Sequence, residues 1–286
     1  MLSMLLASLI SIGGTNQPAA LAKLNPTILD FGSKPSLGPS AIPQGISFRS
    51  RRRSLKGGIE MTYIPEGAFT MGSDAGPPNE RPQRRVVLDP YWIGVNDVTV
   101  AQFKMYCEDQ GIDFAKFPAP KWGWKNDHPM VNVTWVQARA FCKWAGGDLP
   151  TEAQWEKAAR GADARLYPWG NEWNAQNLWC SKSSPADAES TAPVASFAGG
   201  ASPYGCLDMV GNAFQWCLDW EGPYDPASLK NPTGPASGVG HVLRGGSWTF
   251  FNPDFFHATT RTLYNPPIQF NHGFGFRVTA QATVFN

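Results

Sequence analysis

Charge is scarce in this chain. Only 16% of its 286 residues are charged, and 24 lysines and arginines nearly cancel 23 aspartates and glutamates, leaving a net +1. No long-range field therefore steers it towards nucleic acid or a strongly charged partner. Cysteine is also scarce: Cys107, Cys142, Cys180, Cys206 and Cys217. An odd number with no CxxC spacing speaks against a disulfide framework and against a zinc site. Histidine is scarcer still, with His128, His241, His257 and His272 and no HxxxH pair. The apolar stretch 1–12 is too short to span a membrane, and it lacks the charged start of a secretory leader. These absences favour a cytoplasmic protein, with export the lesser alternative, and exclude a membrane span.

Glycine, proline and tryptophan are plentiful, at 29, 25 and 12 residues. The first two imply many turns and long irregular loops. Tryptophan is a residue of cores and of binding surfaces where its N–H finds a partner. The stretch 13–57 is rich in Pro, Gly and Ser and lacks periodicity, so 1–57 reads as an N-terminal arm or linker. Its basic run, Arg49, Arg51, Arg52, Arg53 and Lys56, reads as solvated. Order is expected from near Ile59, with one domain over 58–286.

Three helices share one opening device. Thr99 precedes Gln102, Thr134 precedes Gln137, and Thr151 precedes Gln154. This spacing makes a capping box, in which the hydroxyl takes an orphan N–H of the first turn and the glutamine reaches back to the cap. Ala138, Phe141, Cys142 and Ala145 form a stripe at i, i+3, i+4 and i+7, a core face. Residues 61–64 and 68–71 read as strand, turn and strand, and residues 86–88 and 91–93 suggest further strand. After Gly161 the pattern lapses until the C-terminal region. Loops that long are functional or locally held.

The C-terminal region organises the rest. Residues 242–248 and 273–278 alternate apolar and polar side chains, as half-buried strands do. Between them, 249–272 holds Phe250, Phe251, Phe255, Phe256, Tyr264 and Phe270, and no lysine, glutamate, methionine or tryptophan. These aromatics follow neither period two nor 3.6, so they make no single buried face. The segment reads as an irregular loop surface held between two strands.

Several phrases occur together and in order. They include Ile64-Pro65-Glu66-Gly67-Ala68-Phe69, His128-Pro129-Met130-Val131-Asn132, Leu149-Pro150-Thr151-Glu152-Ala153-Gln154-Trp155, Met209-Val210-Gly211-Asn212, Arg244-Gly245-Gly246-Ser247-Trp248 and Gly275-Phe276-Arg277. Over roughly 58–280 the chain resembles the sulfatase-modifying-factor, or formylglycine-generating-enzyme, domain family. The resemblance implies an α+β, C-type-lectin-like fold of short irregular antiparallel sheets, a few capped helices and much loop.

Function does not follow from fold alone. Enzymes of the family oxidise a sulfatase cysteine with copper held by two cysteines. The resemblance places those two positions at Phe250 and Phe255, and copper(I) wants soft thiolates. Ser247 matches a family serine. A non-catalytic protein is expected. The alternative is the sulfatase-modifying oxidase or a related metal-dependent oxidoreductase. A further branch of the family consists of variable proteins diversified by retroelements, which mutate template adenines. An asparagine codon so randomised cannot reach Lys, Glu, Gln, Met or Trp. Thr249, Phe250, Phe251, Asn252, Asp254, Phe255, Phe256, Thr262, Leu263, Tyr264, Asn265, Phe270, Asn271 and His272 all obey that rule, and Gln269 must then be constant. These residues are the candidate ligand-binding surface, for a protein or other macromolecule, on a chain expected to be a monomer. No cofactor is required. For structural calcium the resemblance points to Asp208, Gly211, Ala213 and Gln215, with Asn177 and Leu178 at a second site. Gln215 stands where an acid is usual, and Asp187 and Glu189 lie near the second set.

Overall fold

A computed structural model describes residues 52–183, 189–262 and 266–285. Leu263, Tyr264, Asn265, Asp187, Arg49 and Arg51 lie outside the described residues.

All three capping boxes form. Helices α1 (Val100–Asp109), α2 (Trp135–Trp144) and α3 (Glu152–Arg160) each have the threonine side chain on the N3 backbone and the N3 glutamine on the cap N–H. Gly161 ends α3 with φ of 71°, a conformation that costs glycine little. Phe141 and Cys142 of α2 face inward against Phe103 of α1 and Phe276.

The first sheet has the order β1–β2–β5–β10, built from Arg52–Leu55, Ile59–Ile64, Tyr91–Gly94 and Thr279–Gln281. Its first strand lies inside the stretch read as linker and pairs Arg53 with Met61. Order therefore begins earlier than Ile59. Both strands expected over 61–71 form, but they do not pair with each other. Strand β3 (Gly67–Met71) leaves the first sheet and pairs instead with β4 (Arg84–Leu88). Proline at 65 offers no N–H to a ladder. The Lys157 ammonium, buried in α3, donates to the carbonyls of Pro65 and Gly67 at 2.7 and 3.0 Å. Those contacts hold the turn as a crossing between sheets.

The third sheet has the order β8–β7–β6–β9, from Arg261–Thr262, His241–Arg244, Phe214–Trp220 and Phe274–Gly275. The two C-terminal strands thus do not pair with each other. Both flank β6, β7 antiparallel and β9 parallel. Strand β6 runs Phe-Gln-Trp-Cys-Leu-Asp-Trp and is buried along almost its whole length. Its sequence alternates apolar with more polar residues, yet Gln215, Cys217 and Asp219 on the second face are buried as fully as the apolar residues on the first.

Two apolar clusters fill the domain. One gathers Phe103, Phe141, Trp216 and Phe276. The other gathers Phe69, Trp155, Met209, Cys217 and Phe256. Phe250 packs against both. All five cysteines are buried free thiols.

Candidate ligand-binding surface

The 249–272 segment starts where β7 stops. Gly245 and Gly246 have φ of 94° and 74°. A Cβ on Gly245 would meet the Met209 carbonyl at 2.5 Å. One on Gly246 would meet the Phe256 ring at 2.8 Å. The chain can turn there only because both residues lack side chains.

Beyond the turn, Arg244 reaches back into the segment. Its fully buried guanidinium donates to the carbonyls of Thr259, Thr260 and Ala258 at 2.7, 3.0 and 2.8 Å. It also donates to Glu156 Oε2 at 2.5 Å. The other Glu156 oxygen accepts from the Gly72 N–H and from Arg160. Arg261 makes a two-pronged contact with Glu152, at 2.6 and 3.0 Å, and donates to the Asn79 carbonyl. Two charged clamps thus fix the backbone of an irregular loop, as buried carbonyls require.

The candidate residues separate by exposure. Phe251, Phe255 and Phe270 are 62%, 45% and 50% exposed. Thr249, Asn252, Asp254, Asn271 and His272 are exposed as well. Phe256 is not on this surface. It is fully buried and stacks on Trp173, because the missing Cβ of Gly246 leaves room for its ring. Phe250 is half-buried against Phe214 and Phe255. Thr262 is half-buried in β8 opposite Leu243. The Phe250 and Phe255 rings lie 5.0 Å apart, centre to centre, so the two positions matched to the copper cysteines are neighbours.

A pocket of about 510 Å³ opens beside the segment. It is lined by Trp122, Asn132, Ser181, Glu189, Trp248 and His272, among others. The segment is tied to this lining. The Phe250 carbonyl accepts from Ser181 N–H at 3.0 Å, and the Asn271 carbonyl from Asn132 N–H at 3.1 Å. Trp248 is half-buried here, with its ring 5.5 Å from Trp122 and 5.7 Å from His272. Trp122 and Asn132 were not among the residues the sequence singled out as binding positions. The tryptophan–glycine–tryptophan phrase at 122–124 is the one signal that could have drawn attention there.

The residues proposed for calcium do not make an open oxygen cage at Gln215. Its amide oxygen accepts from Trp155 Nε1 and from Arg277 Nε, both at 2.6 Å. Its amide nitrogen donates to the Asp208 carbonyl at 2.7 Å. Arg277 also holds the carbonyls of Gly94, Val95, Leu207 and Asp208. A guanidinium thus occupies the carbonyl cluster, and both lone pairs of the Gln215 oxygen are spent. Calcium wants six to eight free oxygens, and Gln215 and the Asp208 carbonyl have none to spare. Asp208 directs a carboxylate oxygen to Ala195 N–H, and burial raises its pKa. Gly211 lies against the Trp179 carbonyl, and the Leu178 carbonyl accepts from Ser183. The Asn177 side chain packs on Gly199, and Ala213 is buried. Among the described residues, no three His, Cys, Asp or Glu side chains converge as a metal site.

The four histidines occupy separate environments. His128 bonds Thr191, and His241 is stacked between Trp135 and Trp220. His257 lies near Asp254, and His272 lines the pocket. Among the described residues, no helix is long and apolar enough to cross a membrane.

Residues 49–282 match the sulfatase-modifying factor enzyme 1-like domain. The chain belongs to this family. Serine/threonine-protein kinase pkn1 of Chlamydia caviae is 34% identical over 242 residues, 76% of this chain and 37% of that protein. The chain thus spans little more than a third of that relative. The formylglycine-generating enzyme of Bos taurus is 32% identical over 247 residues, 66% of each. Among solved structures, PvdO from Pseudomonas aeruginosa superposes with a TM-score of 0.71 at 24% identity, covering 81% of this chain and 98% of that one. Treponema denticola variable protein 1 superposes with a TM-score of 0.64 at 23% identity, covering 82% and 99%. This sulfatase-modifying-factor domain therefore has the C-type-lectin-like fold, one that carries both enzymes and a variable protein.

Proposed function

We propose that this family member is a non-catalytic binding protein whose 249–272 segment is a diversified display surface. One observation carries the reading. The segment whose residues, Gln269 aside, obey the randomised-codon rule is also where large aromatics stand exposed on a clamped irregular backbone. Exposed aromatic area is costly unless a partner covers it. Phe and His supply contact area with few rotors to freeze, and Asn, Thr and Asp supply adaptable hydrogen bonds. The Arg244 and Arg261 clamps order the backbone in advance, which lowers the entropy lost on binding. Phe256, being core, is constant in this reading.

The oxidase alternative needs two soft ligands at neighbouring positions. Those positions hold two phenyl rings. The match to chlamydial kinases falls on a part of those proteins and brings no activity with it.

A library test follows. Thr249, Phe251, Asn252, Asp254, Phe255, Phe270, Asn271 and His272 would be randomised with the restricted codon set. Most members should fold, and selection against unrelated proteins should yield target-specific binders. A library that is mostly unfolded would refute the display role. So would an aldehyde product on a sulfatase peptide incubated with the native chain, copper and oxygen.

A further inference from the structure

The pocket beside the display segment is built almost entirely from outside it. Apart from Thr249 and His272, every lining residue lies before position 249. Diversification of the segment would therefore change the rim and leave the floor alone.

The floor has a definite chemistry. Trp122 and Trp248 meet at 88° with ring centres 5.5 Å apart. Trp122 and His272 meet at 89°, 6.0 Å apart. The angle between two rings set as a T is bounded by one face of each ring. Aromatic faces carry negative quadrupole charge, so such a corner attracts cations. Glu189, exposed at the rim, is the acidic residue on the lining among the described residues. Lys121, also on the lining, is exposed, and its flexible stem can carry the ammonium out to solvent. The volume, about 510 Å³, suits a side chain entering with part of its backbone.

We propose that this pocket is a fixed anchor for the ammonium end of a lysine-like side chain on a macromolecular ligand. The indole faces of Trp122 and Trp248 hold the alkylated cation, and Glu189 balances its charge. Around this anchor the display residues select the ligand's surroundings. His272 and Thr249 are the points where diversification reaches the anchor itself. An aromatic residue at 272 strengthens the cage, and a small polar one weakens it. The inference rests on the ligand-binding reading of this face.

The test uses three probes whose chains differ by at most one atom, n-butylammonium, 1-pentanol and pentanoate, titrated against the full chain while the indole N–H signals are followed by NMR. Butylammonium should shift the Trp122 and Trp248 signals saturably. It should bind about three- to tenfold more tightly than either other probe, the range expected of a partly desolvated cation–π site. Glu189→Gln and Trp122→Leu should weaken it by a similar factor, with an unchanged far-UV spectrum confirming that the variants fold. His272→Tyr, on the exposed rim, should tighten it about two- to fivefold, and Lys121→Ala should leave or tighten it. Pentanol binding as well as butylammonium would overturn the proposal, and so would pentanoate binding best. Cation binding in a chain whose display library fails to fold would leave the anchor standing and remove the display role. Target-specific binders from a chain blind to butylammonium would do the reverse.

Discussion

Replacing Arg244 with methionine probes the connection between the scaffold and the display segment. Methionine keeps an unbranched stem of similar reach against Trp155, over which the guanidinium lies at 5.0 Å. It removes four donated hydrogen bonds, three to consecutive backbone carbonyls and one to Glu156. Removing one member of a buried ion pair costs about 3–5 kcal/mol. Glu156 keeps Arg160 at 3.0 Å and the Gly72 N–H at 2.8 Å, which places the ion-pair loss at the lower end. Each carbonyl left without a donor adds about 1 kcal/mol or more. We therefore expect Arg244→Met to cost about 6 kcal/mol, a large share of the about 5–15 kcal/mol that holds a domain together. Urea unfolding at neutral pH measures the total. Amide hydrogen exchange locates it, with protection of residues 258–262 falling far more than that of α1. Arg244→Lys keeps the charge but not the fork, and should recover less than half of the loss. If Arg244→Met costs under about 1 kcal/mol and leaves the exchange pattern unchanged, the clamp does not order the segment.

The segment's aromatics should separate by burial. Phe256→Ala should cost about 3–5 kcal/mol, Phe250→Ser about 1–3, and Phe251→Ser or Phe270→Ser no more than about 0.5, all read by denaturant unfolding. Equal costs at Phe251 and Phe256 would make the segment core. Burial, and then the field of Glu152, raise the Asp219 pKa from 3.8 to about 8. Because the folded state prefers the proton, this stabilisation is full below about pH 4 and is lost as pH rises through about 8. The stability advantage of the native chain over Asp219→Asn should shrink across that window, whereas parallel stability curves would show that Asp219 does not titrate there. Millimolar calcium should leave the melting temperature unchanged, since the Gln215 oxygen is already bonded twice. A rise of many degrees, by linkage, would mean that the carbonyl cluster reorganises around the ion.

The parts legible in the sequence were those written in local chemistry. The threonine–glutamine spacings specify the starts of all three helices, because a capping box is closed within four residues. The family phrases carried the fold. What escaped depends on residues distant in the chain. Strand β6 alternates Phe, Trp, Leu and Trp with Gln, Cys and Asp, but the burial of that second face is set by neighbours more than twenty residues away. Phe256 shares its composition with the exposed phenylalanines near it. Its burial is decided by Gly246, ten positions earlier, and by Trp173 from another loop. The pocket lining joins Trp122, Glu189 and Trp248, which no local pattern brings together. Gln215 could be seen as an unusual residue for a calcium site. That Arg277 fills the carbonyls around it could not.

Gln215 also has a topological part. On one side it is in register with Arg244, the last residue of β7, and on the other with Gly275 of β9. The display segment is therefore a closed loop whose two ends are fixed on a single residue of a buried strand. Closing such a loop costs entropy that grows only logarithmically with its length, and doubling the length adds about 0.6 kcal/mol. The framework bears nearly all of that cost whatever lies between its ends. The segment is thus free to vary in the number of its residues as well as in their identity. Insertions of several residues between β8 and β9 should be tolerated by a fold that loses a large share of its stability with one guanidinium at position 244.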